Sequence, residues 1–190
     1  MEFKKEKIIC DTRERKNQHI LKYFEKKNIE YETKKVDEGD YKLEGKDTIC
    51  IERKGNLNEI MANITQARFK RELERAKQKG VKLIVLIENS SNINSIDDIP
   101  LKWKNPRLEQ YKRTLKWKLN LNYHAEYNEW ELYRQAKERG LQTYRPPQSP
   151  EQLRKALHTI EDNKEEYDVS FEFCSKSETG RKILEILSQK

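Results

Sequence analysis

Cysteine and histidine are scarce in this chain, and long apolar runs are missing. Cysteine occurs three times, at Cys10, Cys50 and Cys174, and histidine three times, at His19, His124 and His158. No two cysteines stand at CxxC spacing, and their number is odd. A disulfide framework and a structural zinc site therefore find no support, and buried thiols in a reducing cytoplasm fit the pattern. The longest aliphatic run, Leu83-Ile84-Val85-Leu86-Ile87, falls far short of the roughly 20 residues that span a bilayer. Nothing like the apolar core of a secretion signal follows Met1-Glu2-Phe3-Lys4-Lys5. Internal repeats and low-complexity tracts are absent as well. A membrane or exported protein is not expected. A cytoplasmic one is, and the Lys/Asn/Ile-rich composition suits a bacterium or phage.

What is present is charge. Of 190 residues, 38% are charged, and 40 Lys and Arg outweigh 33 Asp and Glu to leave a net charge of +7. That balance favours an anionic partner, nucleic acid among them. Ile, Leu, Val, Phe, Tyr and Trp nevertheless recur in regular clusters, which argues for a folded domain.

The periodicities alternate between strand and helix. Residues 7–12 read as a short buried strand ending on an acid, and Ile20, Leu21 and Phe24 then fall at helical spacing. Tyr31 to Val36 alternates weakly. Tyr41–Leu43 and Thr48–Arg53 read as a hairpin around Glu44-Gly45-Lys46-Asp47. Leu57, Ile60, Met61 and Ile64, then Phe69, Leu73 and Ala76, predict one helix bent near Thr65-Gln66, or two helices, stopping at Gly80. Val81–Ile87 suits a central strand covered on both faces. Near the end, Ser149-Pro150-Glu151-Gln152 is a capping box opening a helix, and Val169, Phe171 and Phe173 alternate as a strand. A second capping box, Ser175–Glu178, opens the last helix. The expected fold is α/β, a central mixed sheet flanked by helices, with a small α+β insertion.

The insertion is expected at 101–142, between core segments 1–100 and 143–190. Residues 101–148 hold all three tryptophans, and residues 101–119 carry seven Lys or Arg against one acid, Glu109. From Leu115 to Tyr123 apolar residues take every odd position, which predicts a strand. An amphipathic helix follows over Tyr127–Gly140. Lys112, Arg113, Lys116 and Lys118, with Lys102, Lys104 and Arg107, could neutralise phosphates while Trp103 and Trp117 stack on bases. Trp117, in an alternating apolar series, reads better as the anchor of a small core. Arg68, Lys70 and Arg71 form a second candidate phosphate surface, or else a salt-bridge ladder with Glu72 and Glu74.

Three polar clusters fall in order at predicted strand ends: Asp11-Thr12-Arg13-Glu14, Gly39-Asp40 and Glu52-Arg53-Lys54. Glu52 and Lys54 are two apart on a strand and share a face. Asp40 enters from the preceding turn and can converge on it. Two acids and a lysine are what metal-assisted phosphodiester hydrolysis requires: carboxylate oxygens for a hard ion, and a cation beside the attacking water. Taken singly, Glu-x-Lys is also an ordinary solvated pair, and Asp11 an ordinary helix N-cap.

This ordered set resembles the nuclease domain of the XPF/Hef type, a branch of the PD-(D/E)XK nucleases, whose motif runs GD, a gap, ERK, three residues and Asp. The resemblance covers residues 6–90 and, more faintly, 143–190. It implies a structure-specific DNA endonuclease for branched, flap or junction DNA, a restriction-endonuclease-like core, and a dimer. It implies that Asp40 and Glu52 bind Mg²⁺ or Mn²⁺, with Asp11 as a further ligand or an acid behind them. Lys54 would position the water, and Arg13 and Arg53 would hold phosphate or neighbouring carboxylates. Asn58 stands where the family motif has its last Asp. An amide cannot balance Arg53 or Lys54, so an inactive DNA-binding or interaction protein on the same fold is the alternative. Sequence-specific cutting of duplex is a third reading. The helix-hairpin-helix modules frequent in the family are not visible.

Overall fold

Five of the six strands run in one direction, and this decides where a site can form. The computed structural model describes residues 7–188, so the Met1–Lys5 segment read for a signal lies outside the described residues. The strands are β1 (Ile8–Cys10), β2 (Tyr31–Thr33), β3 (Tyr41–Leu43), β4 (Lys46–Lys54), β5 (Lys82–Glu88) and β6 (Val169–Cys174). They form one sheet in the order β2-β1-β3-β4-β5-β6. Only β3 opposes its neighbours, pairing antiparallel with β1 and β4. The carboxyl ends of the other five therefore meet at one sheet edge, where ligand sites of such sheets form. Asp40, at the start of β3, lies at the same edge.

Helices cover both faces. Helices α2 (Leu57–Asn63), α3 (Ala67–Gln78) and α7 (Pro150–Asp162) lie on one, and α1 (Gln18–Lys26) and α8 (Thr179–Leu187) on the other. The expected mixed sheet flanked by helices is thus observed. Strand β5 shows why its run is almost wholly apolar: Leu83, Val85 and Ile87 enter the first core, Ile84 and Leu86 the second. In β4 the alternation sends Cys50 into the first core and Ile51 into the second. By the same period Glu52 and Lys54 face α2 and α3, while Arg53 faces α1 and α8.

Turn chemistry fits the breaks. The segment between α2 and α3 is a true interruption at Ile64–Gln66, so two helices form, and Gly80 ends the second at φ +69°. The Ser149 capping box is present, with both reciprocal hydrogen bonds made. The one expected at Ser175–Glu178 is not. Glu178 accepts from the Ser175 hydroxyl and amide, but within a turn, and α8 begins only at Thr179.

The insertion differs from its expected form. A short helix α4 (Ile99–Lys102) is followed by α5 (Pro106–Lys118) and α6 (Glu129–Glu138), with no strand among the described residues of 101–148. Leu115 to Tyr123 is therefore not a strand, and the insertion is helical rather than α+β. Leu108, Tyr111, Leu115 and Leu119 follow helical spacing and pack with Leu132 and Ala136 in a cluster of their own. The period-2 pattern arose because leucines four apart satisfy both periods. Trp117 consequently points outward, 79% exposed, and anchors no core.

Candidate active site

Glycine at position 39 makes the site possible. It has φ +73°, and a Cβ there would stand 2.9 Å from the Ile51 carbonyl oxygen. A residue without a side chain is needed for the chain to turn so close to β4. The turn seats Asp40 against β4: its N–H donates to Ile51 O at 2.7 Å, and its Oδ2 accepts from Arg53 N at 2.8 Å. Its own carbonyl accepts from Asp11 N, tying β1 to the same point.

Asp40, Glu52 and Lys54 then line one cleft of about 240 Å³, together with Gly39, Arg13, Arg68 and Glu72. The Lys54 ammonium is buried and donates to Glu52 Oε1 at 2.6 Å, and its face is closed by the Phe69 ring. Among the described residues, Asp40 Oδ1 and Glu52 Oε2 have no hydrogen-bond partner. Burial, and then the Glu52 charge, hold the Asp40 carboxyl well above its ordinary range. Two carboxylates that repel one another, each with an oxygen to spare, suit a hard cation that takes water and phosphate for its remaining positions. No group of three or more His, Cys, Asp or Glu side chains able to hold an ion occurs among the described residues.

The Asp11 carboxylate is held by Arg13 and Val36. Its Oδ1 accepts from Arg13 N and Nε at 2.6 and 2.8 Å, and its Oδ2 from Arg13 Nη2 and Val36 N at 2.9 and 2.8 Å. Four bonds exhaust its two oxygens, so the expected metal ligation by Asp11 has no lone pair to use. Burial opposes its charge, but the Arg13 bonds keep its pKa lowered. Its effect is to aim Arg13, which also donates to Val36 O and reaches the cleft.

Arg53 takes one of its two expected roles, holding neighbouring carboxylates. It points through the opposite face, with Nη2 2.9 Å from Glu14 and Nη1 3.2 Å from Glu88. Glu88 further engages His19 and Thr179. The Arg53 side chain therefore ties β4 to β1, β5, α1 and α8, while its backbone N–H holds Asp40. This also resolves Asn58. Arg53 is balanced by Glu14 and Glu88 and Lys54 by Glu52, so neither cation depends on an acid at position 58. The Asn58 carbonyl oxygen is buried without a partner, and Asn58 does not line the cleft.

Of the residues expected to meet DNA, Arg13 and Arg68 line the cleft. In the insertion, Lys112 pairs with Glu129 at 3.4 Å and Lys116 donates to the carbonyls of Tyr123 and Ala125. Lys102, Lys104, Arg107, Arg113 and Lys118 are exposed, and Trp103 is half-buried against the main core. Three cleft residues, Asn63, Gln66 and Glu72, escaped the sequence argument. Glu72 on α3 faces β4, and burial, then the Glu52 charge, push its carboxyl up to about 7. Its signal was the four-residue step from Arg68, which places both on one helical face.

A mixed sheet thus lies between helical layers, with two acids and a lysine gathered at the strands' carboxyl edge. A family model described as the ERCC4 domain matches residues 10–161, and the chain belongs to that family. No curated protein matches. Among solved structures, XPF from Aeropyrum pernix matches at 14% identity and TM-score 0.47, over 95% of this chain and 63% of that one. The same protein in complex with DNA matches at 14% identity and TM-score 0.54, over 96% and 63%. The chain thus spans 63% of the length of these structures.

Proposed function

We propose that the chain is a divalent-metal-dependent DNA endonuclease acting on branched, flap or junction DNA. The observation that carries this reading is the convergence of Asp40, Glu52 and Lys54 in one cleft. Asp40 and Glu52 would hold Mg²⁺ or Mn²⁺ through their free oxygens. When bound, the ion acidifies water and neutralises charge on the phosphate under attack. Lys54, held by Glu52, donates a hydrogen bond that orients the attacking water. Arg13, fixed by Asp11, and Arg68 from α3 bind the phosphate oxygens from two sides, as guanidinium groups do well. Glu14, Arg53 and Glu88 keep the end of β4 rigid beneath these groups. In-line attack then leaves 5′-phosphate and 3′-hydroxyl ends. Pairing of two copies belongs to the proposal by family analogy.

The test is cleavage of labelled linear duplex, single strand, flap, fork and four-way junction with Mg²⁺ or Mn²⁺. Cutting of the branched forms, abolished by Asp40→Ala and by Glu52→Ala, is the expected result. One observation favours the competing reading, a DNA-binding protein without chemistry: no group of three or more His, Cys, Asp or Glu side chains able to hold an ion occurs among the described residues. No cutting of any form, with binding that both substitutions leave unchanged, would establish that reading instead. Light scattering of the purified chain, alone and with DNA, reports the pairing.

A further inference from the structure

A trough beside the cleft carries positive charge that the fold leaves unanswered. It is lined by Arg15, Lys16 and Lys176 and continues to Lys22. These come from three places: the loop after β1, the first turns of α1, and the loop after β6. They meet because β1 and β6 end at the same sheet edge. All four are exposed, and none makes a side-chain ion pair among the described residues. Of the acids lining the trough, Glu14 and Glu88 are turned inward, and Glu59 is exposed. Glu14 and Glu88 bind Arg53, and the Glu59 carboxylate accepts from Gly55 N. Elsewhere on the surface the fold commonly neutralises its cations, as in Lys70 with Glu166, Arg75 with Glu38 and Lys182 with Glu172.

The trough is also continuous with the site. Arg13 lines both the cleft of Asp40 and Glu52 and the trough. A polyanion entering the cleft therefore meets a continuous row of cations on leaving it. We propose that the DNA backbone passes from the cleft over Arg13 and into the trough of Arg15, Lys16, Lys22 and Lys176, which binds successive phosphates. This rests on the DNA reading above. The occupant is argued from charge and from position: the groups are cations, spread along a path instead of gathered in a pocket, and the path begins where a phosphodiester would be cut.

Salt dependence tests it. Each phosphate contact contributes about 0.9 to the slope of log affinity against log salt for duplex DNA. Binding of a flap duplex, measured with chelator so that no cutting occurs, is compared across salt for three chains. The first is wild type. The second carries Arg15→Gln, Lys16→Gln, Lys22→Gln and Lys176→Gln. The third carries Lys26→Gln, Lys27→Gln, Lys77→Gln and Lys82→Gln, an equal charge change at the opposite sheet edge. The expected result is a slope shallower by about 2 to 4 in the trough variant, with the opposite-edge variant within about 1 of wild type. An unchanged slope in the trough variant, equal losses in both variants, or no DNA binding by wild type would each overturn the proposal. Cleavage by wild type is scored separately. A chain that cuts with an unchanged trough slope sinks the trough alone, and one that binds through the trough without cutting sinks only the nuclease chemistry. All eight substituted residues are cations on the surface, so circular dichroism should show native helix content in both variants.

Discussion

Arg53 and Lys54 are adjacent in the chain and serve opposite sides of the sheet. The Lys54 ammonium lies 2.6 Å from Glu52 in the cleft, while the Arg53 guanidinium is clasped by Glu14 and Glu88 beneath α1 and α8. The period of the strand has sent two consecutive cations to opposite faces, one into the cleft and one into the far layer.

The two residues should therefore fail differently. Arg53→Ala strands two buried carboxylates, so unfolding in urea should show a loss of about 3 to 5 kcal/mol. Lys54→Ala should retain the native circular dichroism spectrum and lower the cleavage rate by about a hundredfold or more. A Lys54 variant that cuts normally would remove that residue from the proposed chemistry.

The turn before Asp40 should be equally unforgiving. Gly39→Ala places a methyl group 2.9 Å from a carbonyl oxygen at φ +73°. We expect a cost of about 2 kcal/mol or more. Asp40 should shift with the turn, so metal affinity measured by calorimetry should fall even where the variant remains folded.

The raised carboxyls set the direction of the pH response. Glu72 titrates near 7 in the folded chain against an ordinary value of 4.5. Between those values the folded state holds a proton that the unfolded state has lost. Stability without metal therefore falls as pH rises from about 4.5 to 7, and levels off above. Asp40 is raised too and acts in the same sense. For Glu72 the change is on the order of 3 kcal/mol. Denaturant titrations in chelator at pH 5 and pH 8 should show it. Glu72→Gln should reduce the difference and leave the chain more stable at pH 8.

The insertion offers a test of register. Leu115→Ala removes a buried side chain from the α5–α6 cluster and should cost about 2 to 4 kcal/mol in local stability, seen as faster amide exchange in α5 and α6. Trp117→Ala, two residues on, should change stability by no more than about 0.5 kcal/mol. Reversed effects would return this segment to the strand pattern.

Legibility from sequence followed the range of the interaction. Strand β5, the Glu52/Lys54 face and the Ser149 cap were readable because each is specified within a few residues. The hairpin was readable too, apart from β4 starting at Lys46 rather than Thr48. Residues 115–123 failed because leucines at 115 and 119 satisfy two periods, and the deciding partners, Leu108, Tyr111 and Leu132, lay outside the window. Which of the two roles open to Asp11 and to Arg53 each would take was unreadable for another reason. Which oxygen is already occupied, and which acids wait on the far face, depend on Val36, Glu14 and Glu88, contacts that exist only after folding. Glu72 joins the cleft on the same terms.

The private core of α5 and α6 also bears on the order in which the chain assembles. Strand β6 must find β5 across about 80 residues of intervening chain, a slow, non-local pairing. Helices α5 and α6 need only each other, within about 35 residues, so their cluster can close early and shorten the effective tether. Doubling a loose connection costs only about 0.6 kcal/mol in closure entropy, which explains how the sheet tolerates so large a detour before its last strand. Synthesis from the amino terminus then leaves β1 to β5 waiting with an open edge at β5 until β6 emerges, making that interval the moment of greatest exposure to aggregation.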